Sequence, residues 1–200
     1  MIAAPEPFPT LTPEEYLVWE EQQLEKHEYI HGQIYELHRP KCSEVQANSI
    51  NHDQICDQLA ILLKSHWMES PWILGNANTT VRIPGTQIDL GADYSVTCDD
   101  RDKTTTQYIT YPCLIVEVLS KSTESYDRGG KFRLYCQNPV LQDYLLVSST
   151  SIEVDLYHKN EAGDWLILNY QAGDEIELKS IGLKFAIDEL YRGLVLTPEV

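Results

Sequence analysis

Two carboxylates, Asp93 and Glu117, are the residues of this sequence best suited to carry chemistry. Glu117 lies inside the apolar run Leu114–Leu119, where an ionised group without a partner is strongly destabilised or takes up a proton. Asp93 stands at the start of the preceding predicted strand. We therefore predict that neighbouring strands bring the two together as oxygen ligands for Mg²⁺ or Mn²⁺. The alternative is that Glu117 points to a strand end and pairs with a lysine or arginine.

The length and composition predict one domain over residues 1–200. The chain has 200 residues and 42% hydrophobic content, which is enough to bury a single core. It has no apolar stretch long enough for a membrane-spanning helix and no signal-peptide pattern, so we expect a cytoplasmic protein without a membrane partner. Its five cysteines are odd in number and scattered, which predicts ordinary buried thiols and neither disulfides nor a zinc knuckle.

The charge of the chain argues against a protein that coats DNA. The formal net charge is -16 at pH 7, whereas proteins that grip nucleic acid without sequence preference usually carry a positive surface. The basic residues Lys121, Arg128, Lys131 and Arg133 nevertheless fall close together. A local basic face is therefore left open.

The elements that must position the carboxylates follow from periodicity and turn signals. Thr12, with proline after it and Glu15 three residues on, begins a helix that runs to about Glu25. Gly32 marks the turn of a following hairpin. From Glu44 to about Met68 apolar residues recur at three- and four-residue steps, which predicts a long amphipathic helix.

The central part of the chain predicts an α/β (α+β) core in the order helix, three strands, helix, strand. The three strands are NTTVRI, ADYSVT and CLIVEVL, a second helix runs to about Gln137, and DYLLVSS is a further buried strand. Antiparallel strands are added at both ends of this core. The N-terminal helix and hairpin take residues 12–38, the core about 44–149, and a C-terminal β meander 151–191.

Several long motifs resemble the Uma-two (Uma2) family of putative restriction endonucleases, which have the PD-(D/E)XK nuclease fold. The motifs cover nearly the whole chain and are LTPEEYLVWEE, KHEYIHGQIYEL, NHDQICDQLAILL, GADYSV, CLIVEVLSKSTESYDRGGKFRLY, DYLLV and IGLKFAIDELY. The family's core order agrees with the order predicted above. The resemblance implies a restriction endonuclease-like fold and Mg²⁺-dependent hydrolysis of phosphodiester bonds in DNA.

The resemblance also assigns site residues. Asp93 matches the family's strand-start aspartate, although Ala92 replaces the proline that normally precedes it, and Glu117 matches the glutamate of the E-V-L-S stretch. Glu28 matches an early glutamate and would add a third carboxylate to the metal site. The alternative for Glu28 is a solvated strand residue.

The lysine of the nuclease pattern is displaced in this sequence. Leu119 stands where the superfamily has its lysine, and Lys131 matches the position to which this branch of the superfamily has moved it. The alternative is a helix-surface lysine that pairs with Asp127 four residues back. Lys121, in the strand-to-helix turn, is a weaker substitute.

Three further polar groups have structural alternatives. His52 lies on the same helical stripe as Ile55, so it is either a satisfied core histidine or a contact to a metal ligand or phosphate. His27 and His31 are four apart but flanked by β-prone residues, which disfavours zinc. Ser120 is not framed as a nucleophile and is explained by a cap or turn.

We therefore predict a metal-dependent DNA endonuclease in which Asp93, Glu117 and Glu28 hold Mg²⁺ and Lys131 stabilises charge on the phosphate. A competing hypothesis is a catalytically inactive nuclease-like fold that serves as a binding or interaction module. A third is a metal phosphodiesterase with a substrate other than DNA. By fold-level analogy, we also expect a homodimer.

Overall fold

The computed structural model of the chain describes residues 8–40, 47–67 and 72–196. Its first helix, α1, spans Pro13–Glu20. The Thr12 hydroxyl accepts a hydrogen bond from the Glu15 backbone N–H, and the Glu15 carboxylate accepts one from the Thr12 N–H. This capping box was predicted and is present. The helix ends five residues earlier than expected, because Glu25 already belongs to a strand.

A tight hairpin and a long helix follow α1. Strands β1 (Glu25–Ile30) and β2 (Gln33–Pro40) pair antiparallel around His31 and Gly32. Both turn residues have positive φ, 51° and 85°, as a two-residue hairpin turn of the mirror-image type requires. Helix α2 spans Ala47–Trp67. The predicted ends of this helix, at Glu44 and Met68, lie outside the described residues.

The remaining elements continue in chain order. The strands are β3 (Ile73–Asn76), β4 (Thr80–Arg82), β5 (Ile88–Gly91), β6 (Tyr94–Thr97), β7 (Tyr108–Ile109), β8 (Leu114–Leu119), β9 (Asp143–Ser148), β10 (Glu153–Lys159), β11 (Trp165–Gln171), β12 (Glu175–Leu178) and β13 (Leu183–Ala186). Short 3₁₀ helices span Asp100–Thr104 and Ile187–Glu189. Between β8 and β9 the chain is helical: α3 (Glu124–Tyr126), a π-helical turn (Asp127–Lys131) and α4 (Phe132–Tyr135).

Within the described residues these strands form three sheets. The largest has six strands in the order β11-β10-β9-β8-β6-β3, with β8 and β9 parallel and the other neighbours antiparallel. The second has five strands in the order β2-β1-β5-β4-β7, and β12 pairs with β13 alone. The chain passes from the five-stranded to the six-stranded sheet between β5 and β6, at Ala92 and Asp93. Asp93 therefore stands where the two sheets meet.

The two faces of β8 belong to different parts of the core. Val116 and Val118 share one cluster with Leu59 of α2. Ile115 and Leu119 share the other with residues of β4, β5 and α4. Because successive side chains of a strand point to opposite faces, Glu117 points with Ile115 and Leu119 into the space between the two sheets. Its burial follows from this position.

The order helix, three strands, helix, strand is present, but one strand was misassigned. The segment NTTVRI forms β4, which lies in the five-stranded sheet, and β3 is the first strand of the core instead. β3 is only four residues long and contains Gly75, so it carries little strand signal. β5 lies inside the segment PGTQIDLG that was read as a connection.

The C-terminal strands were predicted as a meander. β10 and β11 are an antiparallel pair, whereas IELKSIGLKFA folds back on itself as β12 and β13. Gly182, with a φ of 65°, lies in the turn between them. No helix in the described part of the chain is long and apolar enough to cross a membrane.

Candidate metal centre

Lys131 lies among three buried carboxylates. Its Nζ is 2.8 Å from Glu117 Oε1, 3.5 Å from Glu28 Oε1 and 3.6 Å from Asp127 Oδ1. Lys131 and Glu117 are both 0% exposed, and the other two acids are nearly so. We call Glu28, Glu117, Asp127 and Lys131 the carboxylate cluster. It holds three acidic groups around one ammonium and therefore has an excess of negative formal charge.

Three elements from different parts of the fold build this cluster. Glu28 comes from β1 in the five-stranded sheet, and Glu117 comes from β8 in the six-stranded sheet. Asp127 and Lys131 are the first and last residues of the π-helical turn, so both project from the same short stretch of helix between the sheets. π-Helical turns within α-helices are often found at functional sites.

Tyr126 extends the cluster by one hydrogen bond. Its hydroxyl donates to Glu28 Oε2 over 2.6 Å. Burial, followed by the nearby charge of Glu28, raises the pKa of Tyr126 above its ordinary value of 10.0. The hydroxyl therefore keeps its proton near neutral pH and orients the Glu28 carboxylate. A Cβ on Gly130 would lie 2.9 Å from the Tyr126 ring, so glycine at this position gives the ring its space.

Two further tyrosines pack behind the cluster. Tyr144 donates a hydrogen bond to the backbone carbonyl of Asp127 over 3.0 Å. Tyr135 is fully buried, and its hydroxyl makes no hydrogen bond to the described part of the protein. Burial, followed by the charge of Glu117, raises the pKa of Tyr135 well above 10.0. A protonated hydroxyl donor is thus buried in the electric field of Glu117.

Asp93 is held beside Glu117 by the backbone of β8. Its Oδ2 accepts a hydrogen bond of 2.7 Å from the N–H of Val118, the residue after Glu117. The same oxygen lies 3.6 Å from His52 Nε2 on α2. Exposure rises from Glu117 at 0%, through Asp93 at 4%, to the His52 side chain at 19%. The carboxylates therefore approach solvent on the His52 side.

The structure bears on the structural alternatives for the predicted site residues. Glu117 does pair with a lysine, as its alternative stated, and that lysine is Lys131. Lys131 does pair with Asp127, but it is fully buried and not on the helix surface, because the helix that carries it packs between the sheets. Glu28 is 1% exposed, so it is not a solvated strand residue. His52 is partly buried and contacts Asp93. Lys121 lies exposed in the turn after β8.

The remaining polar candidates have structural partners. His27 Nδ1 lies 2.9 Å from the Glu20 carboxylate. The Ser120 hydroxyl lies 3.0 Å from the Thr123 hydroxyl. The backbone carbonyl of Ser120 accepts a hydrogen bond from the Glu124 N–H at the start of α3. Ser120 thus has the turn role that was predicted for it.

The local basic face that the sequence left open is reduced by the fold. Lys131 is buried, and Arg128 contacts the carboxylates of Glu124, at 2.8 Å, and Asp155. Only Lys121 and Arg133, of the four basic residues considered, are exposed. The acidic chain therefore gathers little positive charge on this surface.

The cysteines differ from the prediction of buried thiols. Cys113 is buried, Cys56 and Cys136 are partly buried, and Cys98 is exposed. Cys98 follows the last residue of β6, where the chain leaves the sheet, which explains its exposure. Cys42 lies outside the described residues.

Sequence reasoning missed two residues at this site. The sequence around Tyr126 did not indicate a site residue, because its hydrogen-bond partner Glu28 is distant in the chain. Cys56 did give one, since it stands four residues after His52 on the same helical face. His52, Cys56 and Asp93 each offer a ligand atom, and these three atoms lie within 4.8 Å of one another.

The donor types present suit a divalent metal ion, although Glu28 and Glu117 are not among the described residues whose ligand atoms converge within 4.8 Å. Asp93, Glu117 and Glu28 supply oxygen ligands of the kind that Mg²⁺ and Mn²⁺ prefer. The excess of carboxylates over ammonium in a buried place favours a cation. The Tyr135 hydroxyl adds a polar group that the described protein leaves without a hydrogen bond. His52 and Cys56 add nitrogen and sulfur ligands whose atoms lie within 4.8 Å of an Asp93 oxygen.

Comparisons with other proteins agree on one family and one fold. Residues 13–188 match the family model Uma2, described as "Putative restriction endonuclease". Two proteins of Synechocystis sp. (strain ATCC 27184 / PCC 6803 / Kazusa) are similar: "Uncharacterized protein slr1290", 60% identical over 94% of this chain and 95% of that protein, and "Uncharacterized protein sll1609", 29% identical over 84% and 92%.

A solved structure has a similar fold. It is described as a putative nuclease belonging to DUF820 from Anabaena variabilis ATCC 29413, with a TM-score of 0.68 and 16% identity over 90% of this chain and 97% of that chain. At this identity the likeness concerns the fold alone.

Proposed function

We propose that this chain, which belongs to the Uma2 family of putative restriction endonucleases, is a Mg²⁺-dependent endonuclease that hydrolyses phosphodiester bonds in DNA. It has the restriction endonuclease-like α/β fold that its motifs predicted. The family and fold identify a nuclease-like protein. Nucleases of this fold generally use a divalent metal. The choice of Mg²⁺, DNA as the substrate and the roles of individual residues belong to the proposal.

The observation that carries the proposal is the 2.8 Å contact between Lys131 Nζ and Glu117 Oε1. The sequence lacks the lysine two residues after Glu117, and the fold returns a lysine to that carboxylate from the following helix. Glu117, the nearby Asp93 and the Lys131 ammonium are therefore grouped, although the sequence lacks the usual lysine two residues after the glutamate. Productive groups must lie within about hydrogen-bond reach, roughly 2.6–3.2 Å, and this pair does.

The residues divide the work by their positions. Asp93, Glu117 and Glu28 are the carboxylates that would hold Mg²⁺, which when bound supplies a Lewis acid that makes water more acidic. Lys131 places positive charge beside Glu117, where it would stabilise negative charge that develops on the phosphate. Tyr126 fixes one oxygen of Glu28 by its hydrogen bond. The Val118 N–H fixes one oxygen of Asp93.

The net charge of -16 requires a specific form of DNA binding. Of Lys121, Arg128, Lys131 and Arg133, only Lys121 and Arg133 are exposed, so we expect the grip on phosphates to come from the site and from few contacts. The salt dependence of such binding increases with the number of phosphates contacted, so few contacts give a shallow dependence. We expect low affinity, and cleavage that is fastest at low salt.

A plasmid-cleavage assay at low salt, with Mg²⁺ or Mn²⁺, tests the proposal. Wild-type protein should nick or cut the plasmid, and a chelator should stop it. Asp93→Asn and Glu117→Gln should each lose cleavage while melting cooperatively. Glu177→Gln is the matched control, because Glu177 pairs with Lys184 on the separate β12–β13 hairpin. Activity retained by both site variants would refute the assignment.

The competing function is an interaction module with the nuclease fold. The strongly acidic composition and the burial of Lys131 among carboxylates favour it, since a closed ion cluster can serve structure alone. A module would bind its partner without cleaving any phosphodiester in Mg²⁺ or Mn²⁺. A small chromogenic phosphodiester is assayed in parallel. Its cleavage without plasmid cleavage would indicate a phosphodiesterase whose substrate is not DNA.

We also propose that the protein is a homodimer in the cytoplasm. The support for a dimer is β11, which lies at an edge of the six-stranded sheet and contains no aspartate, glutamate, lysine, arginine or histidine. Its Leu166, Ile167 and Leu168 are exposed, Ile167 by 65%. An uncharged apolar edge suits pairing with a second copy. Sedimentation should give a dimer for the wild type and a monomer for Ile167→Lys; a monomeric wild type would refute it.

A further inference from the structure

A second group of metal-ligand types lies beside the carboxylate cluster, on its solvent side. His52 and Cys56 are four residues apart on α2 and therefore project from the same face. His52 Nδ1 lies 3.6 Å from Cys56 Sγ, and His52 Nε2 lies 3.6 Å from Asp93 Oδ2. With one ligand atom taken from each residue, all three lie within 4.8 Å of one another. We call these residues the thiol cluster.

The spacing of the thiol cluster is close to that of a tetrahedral metal site. Bonds of about 2.0–2.3 Å to nitrogen, oxygen and sulfur place tetrahedral ligands roughly 3.4–3.7 Å apart. The observed separations require a contraction of about 1 Å at most, which side-chain rotation can supply. Two of the three residues come from one rigid helix, so the site is largely formed before an ion arrives.

The chemistry of the ligands selects the metal. Imidazole and thiolate suit Zn²⁺ and related ions, whereas Mg²⁺ prefers oxygen ligands alone. Three protein ligands with an open fourth position are the arrangement of zinc sites that exchange a ligand. Partial exposure of His52 and Cys56 gives an ion access to the site.

We propose that His52, Cys56 and Asp93 form a binding site for Zn²⁺, and that Zn²⁺ bound there inhibits the Mg²⁺-dependent reaction because the two sites share Asp93. Binding forms the metal–sulfur bond and releases the Cys56 thiol proton to solvent, without any change of oxidation state. The zinc site stands on the geometry of the three ligands. The inhibition rests on the proposed function as well.

Titration with Co²⁺, a coloured substitute for Zn²⁺, tests the site without an activity measurement. Wild-type protein should bind one Co²⁺ with a thiolate charge-transfer absorption band, and added Zn²⁺ should bleach it. Cys56→Ser should lose the band, and His52→Ala should bind at least about tenfold more weakly. Cys98→Ser is the matched control, since its thiol is exposed and remote in the chain, and it should keep the band.

Two further measurements keep the result interpretable. Zn²⁺ should raise the melting temperature of the wild type and leave that of Cys56→Ser unchanged, while both melt alike without metal. Glu117→Gln should keep the Co²⁺ band, because Glu117 is not a ligand of this site. A wild type without the band, or a Cys56→Ser variant that keeps it, would overturn the zinc site.

The inhibition is tested separately in the plasmid assay. Zn²⁺ should slow Mg²⁺-dependent cleavage by the wild type, and the Zn²⁺ concentration that halves the rate should be at least about tenfold higher for Cys56→Ser, with each protein compared with its own rate without Zn²⁺. Equal inhibition of both proteins would overturn the competition. If no plasmid is cleaved under any condition, the proposed function fails, and the Co²⁺ titration still decides the zinc site.

Discussion

Lys131 Nζ lies 2.8 Å from Glu117 Oε1, and both side chains are fully buried. In the chain, the strand that carries Glu117 is followed by α3 and then by the π-helical turn that carries Lys131. An ion pair in such a place is held by its surroundings: the pair is packed between two sheets and flanked by Glu28 and Asp127. The stability and the proposed chemistry of the protein therefore depend on the same side chain.

Replacing Lys131 with methionine should destabilise the fold and slow cleavage. Methionine keeps much of the volume but leaves three buried carboxylates without the ammonium, and breaking a buried pair in this way costs about 3–5 kcal/mol. Urea unfolding measures the loss. Lys121→Met, at the exposed turn after β8, is the control and should change the free energy of unfolding by less than about 0.5 kcal/mol.

Cleavage gives a second readout for the same pair of variants. Under conditions where Lys131→Met is still folded, its rate should fall by about 10²–10³, the typical effect of removing one electrostatic stabiliser. Lys121→Met should cleave at the wild-type rate. A fully active Lys131→Met variant would contradict the role proposed for this lysine.

The two tyrosines at the cluster should respond oppositely to loss of the hydroxyl. Tyr126→Phe removes a 2.6 Å hydrogen bond to a buried carboxylate and should destabilise the protein by about 1.5–3 kcal/mol. Tyr135→Phe removes a buried hydroxyl that has no hydrogen bond within the described protein, so the fold should be unchanged or slightly more stable. Urea unfolding of both variants compares them directly. Equal destabilisation would show that the Tyr135 hydroxyl has a partner.

Adjacent glycines in the π-helical turn offer a matched pair. A Cβ at Gly130 would lie 2.9 Å from the Tyr126 ring, whereas a Cβ at Gly129 would meet no described atom within 4 Å. Gly129→Ala should stabilise the protein by about 0.4–1 kcal/mol, because it restricts the unfolded chain. Gly130→Ala displaces the ring and weakens its bond to Glu28, so it should be about 1–2 kcal/mol less stable than Gly129→Ala. Thermal melting measures both, and identical melting temperatures would contradict the prediction.

The fold should lose stability in alkaline solution through Cys113. Burial raises the pKa of the Cys113 thiol from 9.0 to about 12. The unfolded chain therefore releases this proton first, and the contribution to stability that is present below about pH 9 is lost as the pH rises to about 12. Urea unfolding across this range should show a shallower decline for Cys113→Ala than for the wild type.

The exposed Cys98 tests a second cause of this pH dependence. After burial, the nearby Cys98 thiol also raises the pKa of Cys113, so the stability of Cys98→Ala should decline with pH less steeply than that of the wild type and more steeply than that of Cys113→Ala. Buried tyrosines such as Tyr126 add to the decline in all three proteins, since burial also raises their pKa values. Parallel curves for the wild type and Cys113→Ala would exclude the thiol as a cause.

The sequence predicted those features whose physical signal is local. The Thr12–Glu15 capping box, the Gly32 turn and the fully apolar surroundings of Glu117 each depend on a few neighbouring residues. Local signals did not predict that Asp93 and Lys131 belong to one site; that prediction came from the family motifs. Their roles in catalysis stay predictions, which the variants above test.

The features that were missed depend on contacts between distant residues. β4 was placed in the wrong sheet, because a short strand carries no information about its partner. The exposure of Cys98 depends on where β6 ends, and the pairing of Arg128 with Asp155 joins the π-helical turn to β10. Cys56 was read as a packing residue, because the nearness of Asp93 depends on how α2 lies against β6.

The π-helical turn also affects how relatives of this protein can be recognised. A π-helical turn commonly corresponds to one residue inserted into an α-helix, and each residue of an α-helix rotates its side chain by about 100°. Whether a lysine in this segment reaches Glu117 is therefore a question of helical phase, and counting residues from the glutamate does not answer it. A relative that lacks one residue here would keep its lysine in an alignment and still turn the ammonium away from the acid.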